Sequence, residues 1–332
     1  MNFIDYEYIW ETRESLHKNI SSKKFILMNP EECWLFPERV DKLINAAEQG
    51  TDVTVFVNNI DPRYQGEKFQ KIKFIEWPLH QLFRTACYVN DQQGNYNDIK
   101  YLFVSLNRRA TENRKILIDV LHSGDIINYG KFSWHGADPV KTNYRSQFWD
   151  DSHQVILDHT EFSGRSYSTE MKQWFVPKEF YQSLVSVVGE TTPSIPWLTE
   201  KTYMCIWLEK PFLIAGHRSS YEILKNLGFK LHNDIFDYSY LHLSENSTSQ
   251  SMGIKDNLDR IKNENYQELR LAMEPVIKYN KQRMLELFHD DSSIPDMFKN
   301  HLRYIQANPD KSQGVDADFL SMLQHLDFLK NT

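Results

Sequence analysis

Val187-Val188-Gly189-Glu190-Thr191-Thr192 leads through a loop carrying Pro193 and Pro196 to Trp197-Leu198. Thr199-Glu200-Lys201-Thr202-Tyr203 follows, and the stretch closes on Lys210-Pro211-Phe212-Leu213-Ile214-Ala215-Gly216. Read locally, this is strand, loop, helix, strand. A β-branched run ends at an acid, and the two prolines keep the loop out of a helix. Thr199 is suited to cap a helix that starts at Glu200. Pro211 to Ala215 suits a buried parallel strand that stops at Gly216. The spacing therefore places Glu200 and Lys201 at a helix N-terminus just past the carboxyl end of a strand. In open α/β sheets that edge forms the binding crevice, and a helix N-terminus favours an anion.

Outward from this stretch the alternation continues. Lys24–Met28 reads as a strand, Pro37–Ala47 as a helix closed by Gly50, and Asp52–Val57 and Lys71–Glu76 as further strands, the last leading into a helix from Leu79 to Cys87. Polar residues 90–95 make the best boundary. Beyond them, Lys100–Val104 is a strand and Asn113–Leu121 an amphipathic helix ending at Gly124. Ile126–Trp134 reads as a strand, 135–165 as an irregular insertion, Ser219–Leu227 as a helix and Phe229–Leu231 as a short strand. Ile254–Leu287 is long and helical, with Pro275 forcing a kink or break, and the tail from Phe298 is a last helical segment. The expected fold is α/β, with two Rossmann-like domains facing a cleft. Residues 1–95 form the N-terminal domain, 96–253 the C-terminal domain and 254–332 a helical segment.

Composition bounds the function classes. The chain has 332 residues and a formal net charge of −7, which argues against binding dominated by a nucleic-acid backbone. Its 3 cysteines, Cys33, Cys87 and Cys205, are odd in number and far apart, so neither a disulfide framework nor a zinc ribbon is indicated. There is no signal-peptide pattern at the N-terminus and no apolar run of membrane-spanning length, so a cytoplasmic protein without membrane partners is expected. His153, Asp158 and His159 lack any supporting metal motif, and no glycine-rich phosphate loop is present.

The run Val188-Gly189-Glu190, Trp197–Tyr203 and Lys210–Gly216 resembles the donor-binding motif of the fucosyltransferase-like glycosyltransferases. It is also similar to glycosyltransferases encoded by tailed phages. Ser105-Leu106-Asn107-Arg108-Arg109 with Arg114 resembles the Ser-Asn stretch that precedes an Arg-bearing helix in the same superfamily. The likeness covers roughly residues 100 to 245 and does not extend over the N-terminal half. It implies a two-Rossmann-domain (GT-B) enzyme that uses a nucleotide diphosphate sugar as substrate; the two-acids pattern typical of metal-dependent glycosyltransferases has no convincing instance in the sequence, so no metal or cofactor is expected. Donor contacts would come from Asn107, Arg108, Arg109, Arg114, Glu190, Thr199, Glu200, Lys201 and Tyr203. Lys201 and one of the arginines would neutralise the diphosphate, Glu200 would accept from ribose hydroxyls, and Glu190 would touch the donor or orient Lys201.

An inverting transfer needs a base near the acceptor hydroxyl. Glu31 and Glu32 follow the first strand and Asp61 the second, so Asp61 and Glu31 are the candidates. The acceptor would be a glycan, a small molecule or, given the phage likeness, a hydroxymethylated base in phage DNA, in a host-cell cytoplasm. For DNA, the aromatic and basic insertion (Trp134, His135, Lys141, Tyr144, Arg145, Trp149) would meet a flipped base or its backbone. Rival readings stand beside these. Thr-Glu-Lys at a helix start can be a plain cap, Arg108-Arg109 a solvated loop pair, and Tyr203 and Trp197 core or cleft wall. The whole chain can be a non-catalytic sugar-nucleotide-binding or virion-associated interaction protein.

Overall fold

The fold was taken from a computed structural model, which describes residues 6–10, 24–29, 37–57, 66–89, 96–107, 111–134, 146, 148, 155, 157, 176–190, 196–242, 246–290, 292 and 299. The chain divides into two compact units, Met1–Cys87 with Leu287–Thr332, and Tyr88–Glu286. Each is a parallel α/β unit of Rossmann-like character.

In the first unit, β1 (Tyr6–Trp10), β2 (Lys24–Asn29), β3 (Asp52–Val57) and β4 (Ile72–Glu76) form one parallel sheet in the order β1-β2-β3-β4. Strand β1 was not anticipated: its mixed Tyr-Glu-Tyr-Ile-Trp sequence reads as an acidic terminus, and its pairing partner lies more than a dozen residues away. Helices α1 (Pro37–Glu48) and α2 (His80–Tyr88) accompany the strands. Helix α1 buries Leu43, Ala46 and Ala47 and is followed by Gly50 at φ +92°, a left-handed position that glycine alone adopts without strain. Phe83 of α2 packs against Trp77 and Phe288, with ring centroids 5.7 and 5.2 Å away.

The second unit contains β5 (Tyr101–Asn107), α3 (Glu112–Ser123), β6 (Gly130–Trp134), α4 (Lys178–Tyr181), β7 (Ser183–Gly189), α5 (Glu200–Trp207), β8 (Phe212–Ala215), α6 (Ser220–Asn226), α7 (Ser239–His242), α8 (Ser247–Ile261) and, up to Glu286, α9 (Tyr266–His289). Its sheet is parallel with the order β6-β5-β7-β8. Every residue of β7 and β8 is buried, as the unbroken apolar runs require of strands covered on both faces.

Four expectations are corrected. Helix α3 is not amphipathic in its environment: residues Asn113 to Leu121 are all buried, because α8 packs over the face opposite the sheet. Phe229–Leu231 is not a strand. The outer edge of β8 is closed by side chains instead, with the Ile214 amide donating to the Tyr221 and Tyr240 hydroxyls at 2.7 and 3.1 Å, and Tyr240 donating back to the Ile214 carbonyl at 2.8 Å. Phenols thus cover a strand edge that would otherwise recruit a partner. Pro275 does not break its helix. It lies inside α9 on an exposed face with Leu271, four residues earlier, where water can serve the carbonyl that proline leaves unbonded. The break falls earlier, between α8 and α9. The expected strand over 126–134 is confined to β6, preceded by a 3-10 turn at Ile126–Tyr129. Almost all of the tail from Phe298 and of the 135–165 insertion lies outside the described residues.

Candidate functional site

Strand order locates the candidate site. From β5 the chain crosses to β6 on one side and returns to β7 on the other, so the connections diverge between the carboxyl ends of β5 and β7. Such a switch point opens the crevice where ligands bind in open α/β sheets. Asn107 ends β5, Gly189 ends β7, and β8 ends one residue before Gly216.

The edge is tightly stitched. Arg114 in the first turn of α3 is 2% exposed and donates through Nε and Nη2 to the Gly189 carbonyl at 3.0 and 2.9 Å. Asn113 Nδ2 donates to the Glu190 carbonyl at 2.6 Å, and Thr111 Oγ1 donates to Asn113 Oδ1 at 2.6 Å. Gly189 is required by close approach: a β-carbon there would stand 2.9 Å from Arg114 Cγ and 3.3 Å from Asn107 Oδ1. Asn107 takes a 2.9 Å bond from its amide to Ser133 Oγ and another from Nδ2 to Ser105 Oγ, while its buried Oδ1 has no hydrogen-bond partner.

Glu190 is the centre of the arrangement. Its carboxylate crosses to α5, where Oε1 accepts from the Thr199 amide at 3.1 Å and from Thr202 Oγ1 at 2.7 Å. Thr199 is the expected N-cap, its side chain accepting from the Lys201 amide at 3.3 Å. An acid held against a helix N-terminus is stabilised by the helix dipole. Oε2 is buried with no hydrogen-bond partner. Burial raises the Glu190 pKa above the ordinary carboxylate value, while the Lys201 charge and the threonine bonds oppose that shift.

Lys201 and Glu200 differ from their neighbours in reach. Their side chains are 16% and 27% exposed, and Lys201 Nζ pairs with Glu200 Oε1 at 2.9 Å. Tyr203 is 1% exposed, and burial, with the nearby Glu190 charge, holds its phenol above the usual range. It is therefore core rather than a stacking surface. Lys210, part of the same sequence run, belongs elsewhere: it bonds the carbonyl of Ser183 at the opposite end of β7, and burial drives its pKa down.

The structure thus gathers Asn107, Arg114, Glu190, Thr199, Glu200, Lys201 and Tyr203 at one edge of one sheet. Glu31, Asp61, Arg108 and Arg109 lie outside the described residues. Sequence reasoning missed Thr202, Asn113 and Thr111. Thr202 had a signal, standing three residues after the cap where a capping box carries its own acid; here the acid comes from Glu190 instead. Among the described residues no cluster of His, Cys, Asp or Glu could hold a metal ion, and no helix is long and apolar enough to cross a membrane. Compared with protein families, with curated proteins and with solved structures, the chain matches none.

Proposed function

We propose that the chain is a glycosyltransferase of the two-Rossmann-domain (GT-B) kind, moving a sugar from a nucleotide diphosphate sugar to an acceptor hydroxyl without a metal. The observation that carries this reading is the Glu190 carboxylate tied to Thr199 and Thr202, which fixes the start of α5 and its Lys201 at a sheet switch point. Crevices of that kind receive nucleotides.

In the proposed reaction the acceptor oxygen attacks the anomeric carbon. The bond to the diphosphate breaks, its electron pair passing to the departing phosphate oxygen, where Lys201 offsets the developing charge. Arg108 or Arg109 would supply the second cation, since Arg114 is engaged with the Gly189 carbonyl. In an inverting transfer, Asp61 or Glu31 would take the acceptor proton. The acceptor would be a glycan, a small molecule or a hydroxymethylated DNA base.

That engagement of Arg114 with the backbone favours a second reading, a sugar-nucleotide-binding protein without turnover. Release of nucleoside diphosphate from a panel of UDP- and GDP-sugars, with each acceptor class, separates the two. Transfer that falls about ten- to a hundredfold in kcat/KM on Lys201→Ala supports the enzyme, that being the scale of a lost charge-assisted phosphate contact. Binding without release supports the second reading, and neither binding nor release contradicts both.

A further inference from the structure

We infer that His217, in the loop after β8, is a further ligand contact of the donor site, a neutral imidazole whose Nε2–H donates to a phosphate oxygen. This rests on the donor-site reading proposed above.

The loop belongs to the same corner of the sheet as Glu190. Ala215 ends β8, and its carbonyl accepts from the Glu190 amide at 2.9 Å. Gly216 follows in close contact: a β-carbon there would stand 3.0 Å from Glu190 Cγ and 3.1 Å from its Cβ. The chain that leaves β8 therefore leans on the residue that anchors the start of α5, and His217 comes next, half-buried. Loops beyond the carboxyl ends of parallel strands wall the binding crevice of such sheets. A second group at this corner indicates a ligand. Glu190 is 1% exposed, and its Oε2 has no hydrogen-bond partner among the described residues. A buried acceptor in that state calls for a donor from outside the chain.

The turn assigns the state of the imidazole. Nδ1 of His217 accepts from the Ser219 amide at 3.2 Å, so that nitrogen carries a lone pair and not a hydrogen. A neutral imidazole has one donor and one acceptor nitrogen, which puts the hydrogen on Nε2. The backbone is closed around the same residue, the Ser220 amide and Oγ both donating to the His217 carbonyl, at 2.9 and 2.7 Å. One ring nitrogen is thus committed to holding the turn, and the other is a donor of fixed identity.

The proposed ligand needs such a donor. Lys201 spends one ammonium hydrogen on Glu200, and Arg114 is engaged with the Gly189 carbonyl. A diphosphate offers acceptor oxygens to several donors at once. A neutral N–H adds one hydrogen bond there without adding a charge.

The test is titration calorimetry on the full chain without divalent metal, with inorganic pyrophosphate, UDP and GDP as probes. Wild type, His217→Asn, His217→Gln and Lys201→Ala are compared, with thermal midpoints confirming that each folds. The Asn carbonyl oxygen can replace Nδ1 as acceptor for Ser219 but leaves nothing at the Nε2 position, whereas the Gln amide brings an N–H near it. His217→Asn should bind the preferred probe about tenfold more weakly, the scale of a lost hydrogen bond to a charged group, and His217→Gln should recover part of the loss. Nitrogen-15 spectra of wild type near pH 8 should show the Nε2–H tautomer at His217, with its signals moving when pyrophosphate is added. Unchanged affinity in His217→Asn, an equal loss in His217→Gln or the Nδ1–H tautomer overturns the inference, while a loss in Lys201→Ala leaves the donor site standing. If wild type binds none of the probes, the donor-site reading fails and the inference falls with it.

Discussion

Thr202 Oγ1 donates a 2.7 Å hydrogen bond to Glu190 Oε1, joining the first turn of α5 to the residue that follows β7. Both residues are buried, so the bond sets the position of the α5 start without contacting solvent. Thr202→Val keeps the shape and removes the donor. It should cost about 1.5–3 kcal/mol, the range for a hydrogen bond to a charged group, measured by urea unfolding. A change within the error of the measurement would mean that the Thr199 amide alone holds the carboxylate.

Gly189→Ala tests the packing of the switch point. The new methyl group would stand 2.9 Å from Arg114 Cγ, in the middle of a side chain anchored at its far end to the Gly189 carbonyl. The arginine cannot swing aside without losing that anchor, so a loss of about 1–3 kcal/mol is expected, as for overpacked cores. A variant as stable as wild type would show the crevice floor to be loose.

Glu190 should give the protein a pH signature. Its folded-state pKa is raised, chiefly by burial, above the ordinary 4.5. A raised carboxyl contributes stability that is present below the unfolded value and lost as pH rises through the folded one. The melting midpoint of wild type relative to Glu190→Gln should therefore be higher near pH 4 than near pH 7. A difference that grows toward neutral pH would contradict the assignment.

His232 acts in the opposite direction. Burial, aided by the Arg270 charge, lowers its pKa from 6.5 to about 4. The unfolded chain then binds the proton more readily between those values, so stability is present above 6.5 and drains away as pH falls through about 4. On the order of 3 kcal/mol is at stake, and His232→Gln should flatten that limb of the acid-unfolding curve. A limb of unchanged steepness would place the acid sensitivity elsewhere.

Legibility in the sequence followed the range of the forces involved. Periodicity and turn chemistry are local, so the alternating strands and helices of both units, the Thr199 cap and Gly50 at the end of α1 were readable residue by residue. Strand β1 and the burial of α3 were not, because one depends on pairing with a distant strand and the other on α8 covering the outer face. At the site, Glu190, Thr199, Glu200 and Lys201 were legible as a set because one strand-loop-helix run carries them. The commitment of Arg114 to a backbone carbonyl was not, since nothing in its neighbourhood of sequence names Gly189 as the acceptor. The failed strand at Phe229–Leu231 has a similar cause: the phenols of Tyr221 and Tyr240 occupy the edge that it would have extended.

We propose that Lys201, at the start of α5, meets the diphosphate of a nucleotide sugar. Metal-free titration calorimetry of UDP and GDP against wild type and Lys201→Ala tests it most directly. One nucleotide should bind wild type, and the variant should lose roughly 1.5–3 kcal/mol, about ten- to a hundredfold in affinity. If neither nucleotide binds, or the variant binds as tightly as wild type, the start of α5 is a capped helix and no donor site.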